Sequence, residues 1–226
     1  MTKKKARVEF CVDMLAKFKN GTSDLVREIL TGDETWLHNY TPLRKEQSRV
    51  WVTQNSPRPT KVRKFLSAKK IMVSVVFNSS GFFHVIELGP KEKINSEWYC
   101  NKCLTQVFEQ YVVGREKTGL RKMLFHHDNA PSHTSLKTTE FLEEKSVRVL
   151  PHPPYSPDLA PADFFLFPKA KDLMRGKSFD TLSGVTSYFS DQLKSFEKSD
   201  WKMCFQLWFE RMNKCIEHDG EYFEKQ

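Results

Sequence analysis

The predicted elements run strand, strand, strand, helix, strand, helix, strand, then helices. That order describes a mixed five-stranded α/β sheet with helices on both faces. Two observations carry it. Apolar runs at 71–77 and 82–88 flank Asn78-Ser79-Ser80-Gly81, a polar, Gly-containing hairpin connection. Downstream, short apolar runs at 122–127 and 147–150 alternate with helical patterns, as βαβ units do. The 226 residues suit one domain of this class, and 39% hydrophobic with 13% aromatic residues suffices for a core.

Residues 3–19 read as a helix because Val8, Cys11, Met14, Leu15 and Phe18 recur at helical spacing. A strand is expected over 29–40. A stretch broken by Pro42, Pro57 and Pro59 precedes the hairpin. Asn95-Ser96-Glu97 caps a helix expected to reach about 114, with Trp98, Leu104, Val107, Phe108 and Tyr111 inside. The run KMLFHH at 122–127 is apolar enough for a strand buried on both faces. Helix 132–145 and strand 147–150 follow. Residues 151–168 hold six of the eleven prolines and begin as an extended loop. Pro161-Ala162-Asp163 then starts a helix to Arg175, ended by Gly176. Helices at 181–196 and 200–217 finish the chain. The order is compatible with a ribonuclease H-like fold and with other α/β folds, so topology alone leaves function open.

Charge is concentrated in one place. Lys plus Arg is 36 and Asp plus Glu is 28, a net +8. Residues 41–70 hold nine basic side chains (Arg44, Lys45, Arg49, Arg58, Lys61, Arg63, Lys64, Lys69 and Lys70) against one acid, Glu46. That segment carries the whole excess. It reads as a polyanion-binding arm or as a solvated loop. No apolar run approaches membrane-spanning length, and no apolar core follows the basic N-terminus as a signal peptide would require. The five scattered cysteines predict reduced thiols inside a cell rather than a disulfide framework. There is no phosphate-cradling Gly-rich loop, so no nucleotide cofactor is expected, and no nucleophile elbow.

Three acids sit where such a sheet places functional groups. Asp33 lies in the first strand, Asp128 follows the KMLFHH strand, and Asp163 lies in the first turn after the proline loop. Carboxylates suit magnesium or manganese, and three aspartates suffice for a two-metal phosphodiester site. Each also has an ordinary reading. An Asp in a first helical turn favours the helix, and an Asp after a strand forms turns. Asp33, within an apolar strand, is the hardest to explain that way.

The blocks TGDETW (31–36), HHDNAPSH (126–133) and YSPDLAPADFFLF (155–167) resemble the signature blocks of mariner-type transposases of the Tc1/mariner superfamily. Asp128 and Asp163 are separated by 34 residues, the mariner spacing, and the C-terminal segment around Trp201, Trp208 and Asp219–Phe223 is similar too. The resemblance implies a ribonuclease H-like catalytic core over 25–226, preceded at 1–24 by a helix ending a linker. It implies that Asp33, Asp128 and Asp163 bind two divalent ions, Mg with Mn substituting. It implies that 41–70 is a clamp-like insertion between the first two strands, reaching DNA and a partner subunit of a homodimer. The expected activity is DNA cleavage and strand transfer at TA targets, with transposon ends and target DNA as partners and the nucleus as location. The paired helix-turn-helix units that precede this region in the family are expected to be missing here. The alternative is a catalytically silent, transposase-derived DNA-binding or dimerisation module.

Neighbouring residues receive lesser roles. Asn129 forms the turn or touches a metal water or phosphate, and His126, His127 and His133 position or pack, since no zinc frame surrounds them. Cys100 and Cys103 are expected in the core, and Asp158 in a turn. Glu34 alternates to the strand face opposite Asp33 and is expected to point away from the site. Phe164–Phe167 should anchor the last catalytic helix.

Overall fold

A computed structural model describes residues 2–54, 56–57, 69–113, 115 and 119–224. Its strands are β1 (Ile29–His38), β2 (Lys70–Asn78), β3 (Phe83–Glu87), β4 (Leu124–His126) and β5 (Arg148–Leu150). They form one sheet in the order β3-β2-β1-β4-β5. β2 is antiparallel to both β1 and β3, and β4 is parallel to β1 and β5. This is the mixed five-stranded ribonuclease H-like sheet that the element order predicts.

The helices are α1 (Lys3–Lys17), α2 over 96–112, α3 (Pro131–Thr134), α4 (Leu136–Glu144), α5 over 162–173, α6 (Leu182–Lys194) and α7 (Lys198–Glu217). Strand alternation assigns the two faces of the sheet. Ile29 and Leu37 of β1 enter one core with α1, α5, α6 and α7, while Leu30 enters the other with α2 and α4. α1 is part of the first core: Phe10, Cys11, Met14 and Phe18 are buried with Trp208, Phe209, Met212 and Cys215 of α7.

Several expectations needed correction. β1 ends at His38, not 40. The helix expected over 132–145 is two helices, because Ser135 is extended (ψ 151°) and its Oγ accepts from Thr138 N as an N-cap for α4. α2 and α5 each contain a π-helical turn, Tyr99–Leu104 and Ala162–Leu166. In α5 the wider turn precedes Pro168, which has no N–H and whose ring crowds the carbonyl four residues back. α7 begins at Lys198, earlier than expected, through a reciprocal cap between Glu197 and Asp200.

Gly32 lets β1 lie close to β2. A Cβ there would meet Val76 Cγ2 at 2.7 Å and Val75 O at 3.1 Å. The start of the 39–69 insertion is tied to the body by backbone bonds from Phe179 N to Asn39 O (2.9 Å) and from Gly176 N to Thr41 O (2.8 Å). Arg58, Lys61, Arg63 and Lys64 lie outside the described residues.

Candidate active site

The parallel register brings the first two acids together. Thr31 pairs with His126, the last paired positions of β1 and β4. Asp33 lies two residues further along β1, and Asp128 two residues further along the chain, just past the end of β4. Asp163 arrives from the far side of the proline loop, in the π-helical turn of α5, and its carboxyl stands beside that of Asp33. Asp128 and Asp163 line one open cleft with Tyr155 and Asn129.

A buried network fixes that loop. Arg7 of α1 donates to both Asp158 oxygens (2.7 and 2.5 Å), to Ser156 Oγ (2.7 Å) and to Gly220 O (2.9 Å). Trp208 Nε1 donates to Leu159 O, and Arg211 Nε to Asp158 O, both at 2.6 Å. Asp158 does sit in a short 3₁₀ turn, Pro157–Leu159, but its carboxylate is fully buried on Arg7. That gives it a structural ion pair in addition to the turn role expected of it.

The electrostatics are those of crowded acids. Burial, then the charges of Asp163 and Glu34, push Asp33 up to about 8, against the Glu34 N–H that donates to Asp33 Oδ1 at 2.7 Å. Burial and the Asp128 charge also raise Asp163, while its contact with Asp33 and the Lys171 charge pull the other way. Asp128 moves down. Burial alone would raise it, but His133, Ala130 N–H and His152 together outweigh that. Lys171 donates to Thr35 Oγ1 (2.5 Å), and burial lowers it despite the neighbouring Asp163 and Asp33.

The donor set suits a hard divalent cation: carboxylate oxygens only, with Asp33 and Asp163 raised by burial and then by neighbouring negative charge, both of which a cation would offset. Among the described residues, however, no group of three or more His, Cys, Asp or Glu side chains stands ready to hold an ion. The three acids share one site without forming a finished triad. Asp33 and Asp163 stand together, and Asp128, bonded to His133, keeps its side chain open to the cleft it shares with Asp163.

The expectation that Glu34 points away from the site is overturned. His133 Nδ1 donates to Asp128 Oδ1 at 2.6 Å, and its Nε2 faces Glu34 Oε2 at 3.4 Å, a charge contact outside hydrogen-bond geometry. Glu34 does emerge on the opposite face, but His133 joins the two faces around the end of β4. Burial opposes a charge on His133, yet Asp128 and Glu34 together push it up to about 10.

The other candidates divide. Asn129 Nδ2 donates to His152 O at 2.7 Å, a bond that shapes the turn. His126 is buried and bonded to Thr31 Oγ1 (2.8 Å) and His152 Nδ1 (3.1 Å), and His127 to the Tyr99 hydroxyl (2.9 Å). Both are pushed down by burial, which is the packing role expected of them. Cys100 and Cys103 are buried free thiols, and Leu166 and Phe167 are core residues. In the basic arm, Lys45 and Arg49 are exposed, Arg44 is paired with Asp172 (3.1 Å), and Lys70 lies over the Trp36 ring (4.0 Å). Sequence reasoning missed Arg7 and Lys171. Arg7 stands on the apolar stripe of its own helix, in step with Cys11 and Met14. Lys171 stands two turns after Asp163.

Comparison with known proteins agrees with this geometry. A family model described as a transposase (partial DDE domain) matches residues 41–118. The Mariner Mos1 transposase of Drosophila mauritiana is 30% identical over 96% of the chain, which spans 62% of that protein. Human histone-lysine N-methyltransferase SETMAR is 26% identical over 99% of the chain, which spans 32% of it. The chain thus covers less than two thirds of either relative. The crystal structure of the catalytic domain of Mos1 mariner transposase superposes with a TM-score of 0.77 at 28% identity, covering 98% of this chain and 96% of that one. The Mos1 paired-end complex with Mn gives 0.82 at 31% identity, covering 98% and 64%.

Fold and site together are those of a ribonuclease H-like domain. Over nearly its whole length the chain is similar to the catalytic domain of Mos1 mariner transposase.

Proposed function

We propose that this chain is the catalytic part of a DNA-cutting and strand-transferring enzyme, with Asp33, Asp128 and Asp163 as ligands of two divalent ions, Mg or Mn. The observation that carries this reading is the register that aligns Thr31 with His126, each two residues before Asp33 and Asp128, with Asp163 standing beside Asp33. Supporting it, the similar Mos1 structures include complexes with Mn and with Mg and a strand transfer complex.

Divalent cations bound there would supply the charge that activates the attacking oxygen and stabilises the leaving oxygen of a phosphodiester. The chain's own residues do the rest. Asp33 and Asp163 stand together, ready to exchange a shared proton for a cation. Lys171 stands beside them and favours an ionised Asp163, and the cleft edged by Tyr155 admits the strand. The basic arm, with Lys45, Arg49 and Lys69 among its described residues, tracks the DNA backbone, and through the clamp-like insertion it joins a second copy. Transfer into TA targets and nuclear location belong to the same reading, and α1 packs into the catalytic unit expected over 25–226.

The test is Asp128→Asn, which keeps an oxygen for His133. It should abolish Mg- or Mn-dependent nicking of supercoiled plasmid while leaving the circular dichroism spectrum unchanged. Undiminished nicking would remove Asp128 from the chemistry. A wild-type chain that binds DNA with steep salt dependence and never cuts would establish the silent binding module instead.

A further inference from the structure

Asp128 is the acid whose orientation the protein itself fixes. Its Oδ1 takes two hydrogen bonds, from Ala130 N at 2.9 Å and from His133 Nδ1 at 2.6 Å, while its side chain stays 44% exposed to the cleft. The His133 side chain is 1% exposed. Its ring lies parallel to His127, with centroids 4.9 Å apart at 10°, and Tyr99 packs against it at 4.2 Å. Those contacts leave the imidazole no room to swing.

Its far nitrogen is set against Glu34, and Glu34 is held in turn. Ser74 Oγ of β2 donates to Glu34 Oε1 at 2.9 Å and meets Cys103 Sγ at 3.3 Å. A line of contacts therefore runs from β2 through Glu34 and His133 to Asp128, beginning one residue after Asp33. Metal-ligating groups are commonly oriented by such outer partners, whose loss costs about 10- to 100-fold in metal affinity or activity.

We propose that Glu34 is a positioning residue that acts through His133 to hold Asp128 in its ion-binding orientation. This rests on the metal-site reading above. The carboxylate next to Asp33 then serves the site from behind the sheet. One short strand segment fixes two acids at once, Asp33 directly and Asp128 at second hand.

The experiment is a manganese chloride titration of the whole chain, read by the EPR signal of free Mn²⁺, with melting temperatures measured in parallel. Asp128→Asn tests the metal site itself and should lose binding. Glu34→Gln keeps shape and removes charge, and it should weaken manganese binding by about tenfold. His133→Asn keeps a donor near the Nδ1 position but cannot reach Glu34. It should bind more weakly than wild type, and adding Glu34→Gln to it should change nothing further. That loss of effect is the signature that a merely structural role for Glu34 would not give. If Asp128→Asn loses manganese while Glu34→Gln and His133→Asn bind as wild type, the relay is wrong and the metal site stands. The relay is also wrong if Glu34→Gln costs the same in the His133→Asn background as alone. If Asp128→Asn binds as wild type, the metal site falls and takes the relay with it.

Discussion

Asp163 stands beside Asp33, 130 positions away in the chain, and the pair forms one crowded site. Two neighbouring half-buried carboxyls cannot both ionise cheaply. The consequences reach stability, ion binding and pH response.

The first prediction concerns pH. Asp33 is pushed up to about 8, while an unfolded Asp titrates near 4. Between those values the folded chain keeps a proton that the unfolded chain has lost. Stability therefore falls as pH rises through this window, by up to about 1.4 kcal/mol per pH unit. His133, held up to about 10, acts in the same direction above about pH 6.5. Asp33→Asn removes the Asp33 share. Thermal melts should show its Tm gaining on wild type more at pH 8 than at pH 5, and a gap that does not vary with pH would refute the assignment.

Divalent cations should oppose that slope. A bound ion favours ionised Asp33 and Asp163, so manganese chloride should raise Tm more at pH 8 than at pH 6. At 100 times the dissociation constant the gain is about 2.7 kcal/mol. An equal shift at both pH values would show that binding does not compete with the shared proton.

The Arg7–Asp158 pair makes a sharper prediction. Both side chains are buried, at 6% and 0% exposure. Removing one partner strands a charge, so Asp158→Ala should cost about 3–5 kcal/mol in urea unfolding. Arg7→Met with Asp158→Leu should recover much of that loss, because apolar replacement of a buried ion pair is often neutral. Failure of the double variant to improve on Asp158→Ala would mean that the bonds to Ser156 and Gly220 matter more than the pair.

Gly32→Ala tests the strand contact beside the site. The new methyl would meet Val76 Cγ2 at 2.7 Å, and such overpacking costs about 1–3 kcal/mol. The expected outcome is a lower Tm together with weakened manganese binding, since Asp33 is the next residue. A variant with wild-type values for both would show that β2 yields freely.

Exposed cations of the insertion should set the salt response of DNA binding. Lys45→Glu with Arg49→Glu should flatten the plot of log affinity against log salt by about 0.9 for each phosphate no longer neutralised. Arg44→Glu should do less, because Asp172 already holds that guanidinium. An unchanged slope would place the DNA elsewhere.

Much of this was legible in the sequence. The hairpin was marked by Asn78-Ser79-Ser80-Gly81, and the last catalytic helix by Pro161 and Asp163, because local turn and cap chemistry writes itself into neighbouring residues. Asp33 stood out as a charge in an apolar strand. What stayed hidden depended on contacts between distant segments. Glu34 has the correct alternation, but nothing local to it announces that His133 lies a hydrogen bond from Asp128. The partner of Asp158 is 151 residues away. The break at Ser135 was missed because its flanking residues continue a helical pattern through it.

The guanidinium of Arg7 also grips Gly220 O, and Lys4 is paired with Glu221 nearby. The first helix and the turn after the last one are thus knotted to the very loop that delivers Asp163. A mechanical load applied at either end of the described chain would arrive at the third acid through this ion pair and the neighbouring bonds of Trp208 and Arg211 to the same loop, bypassing the sheet.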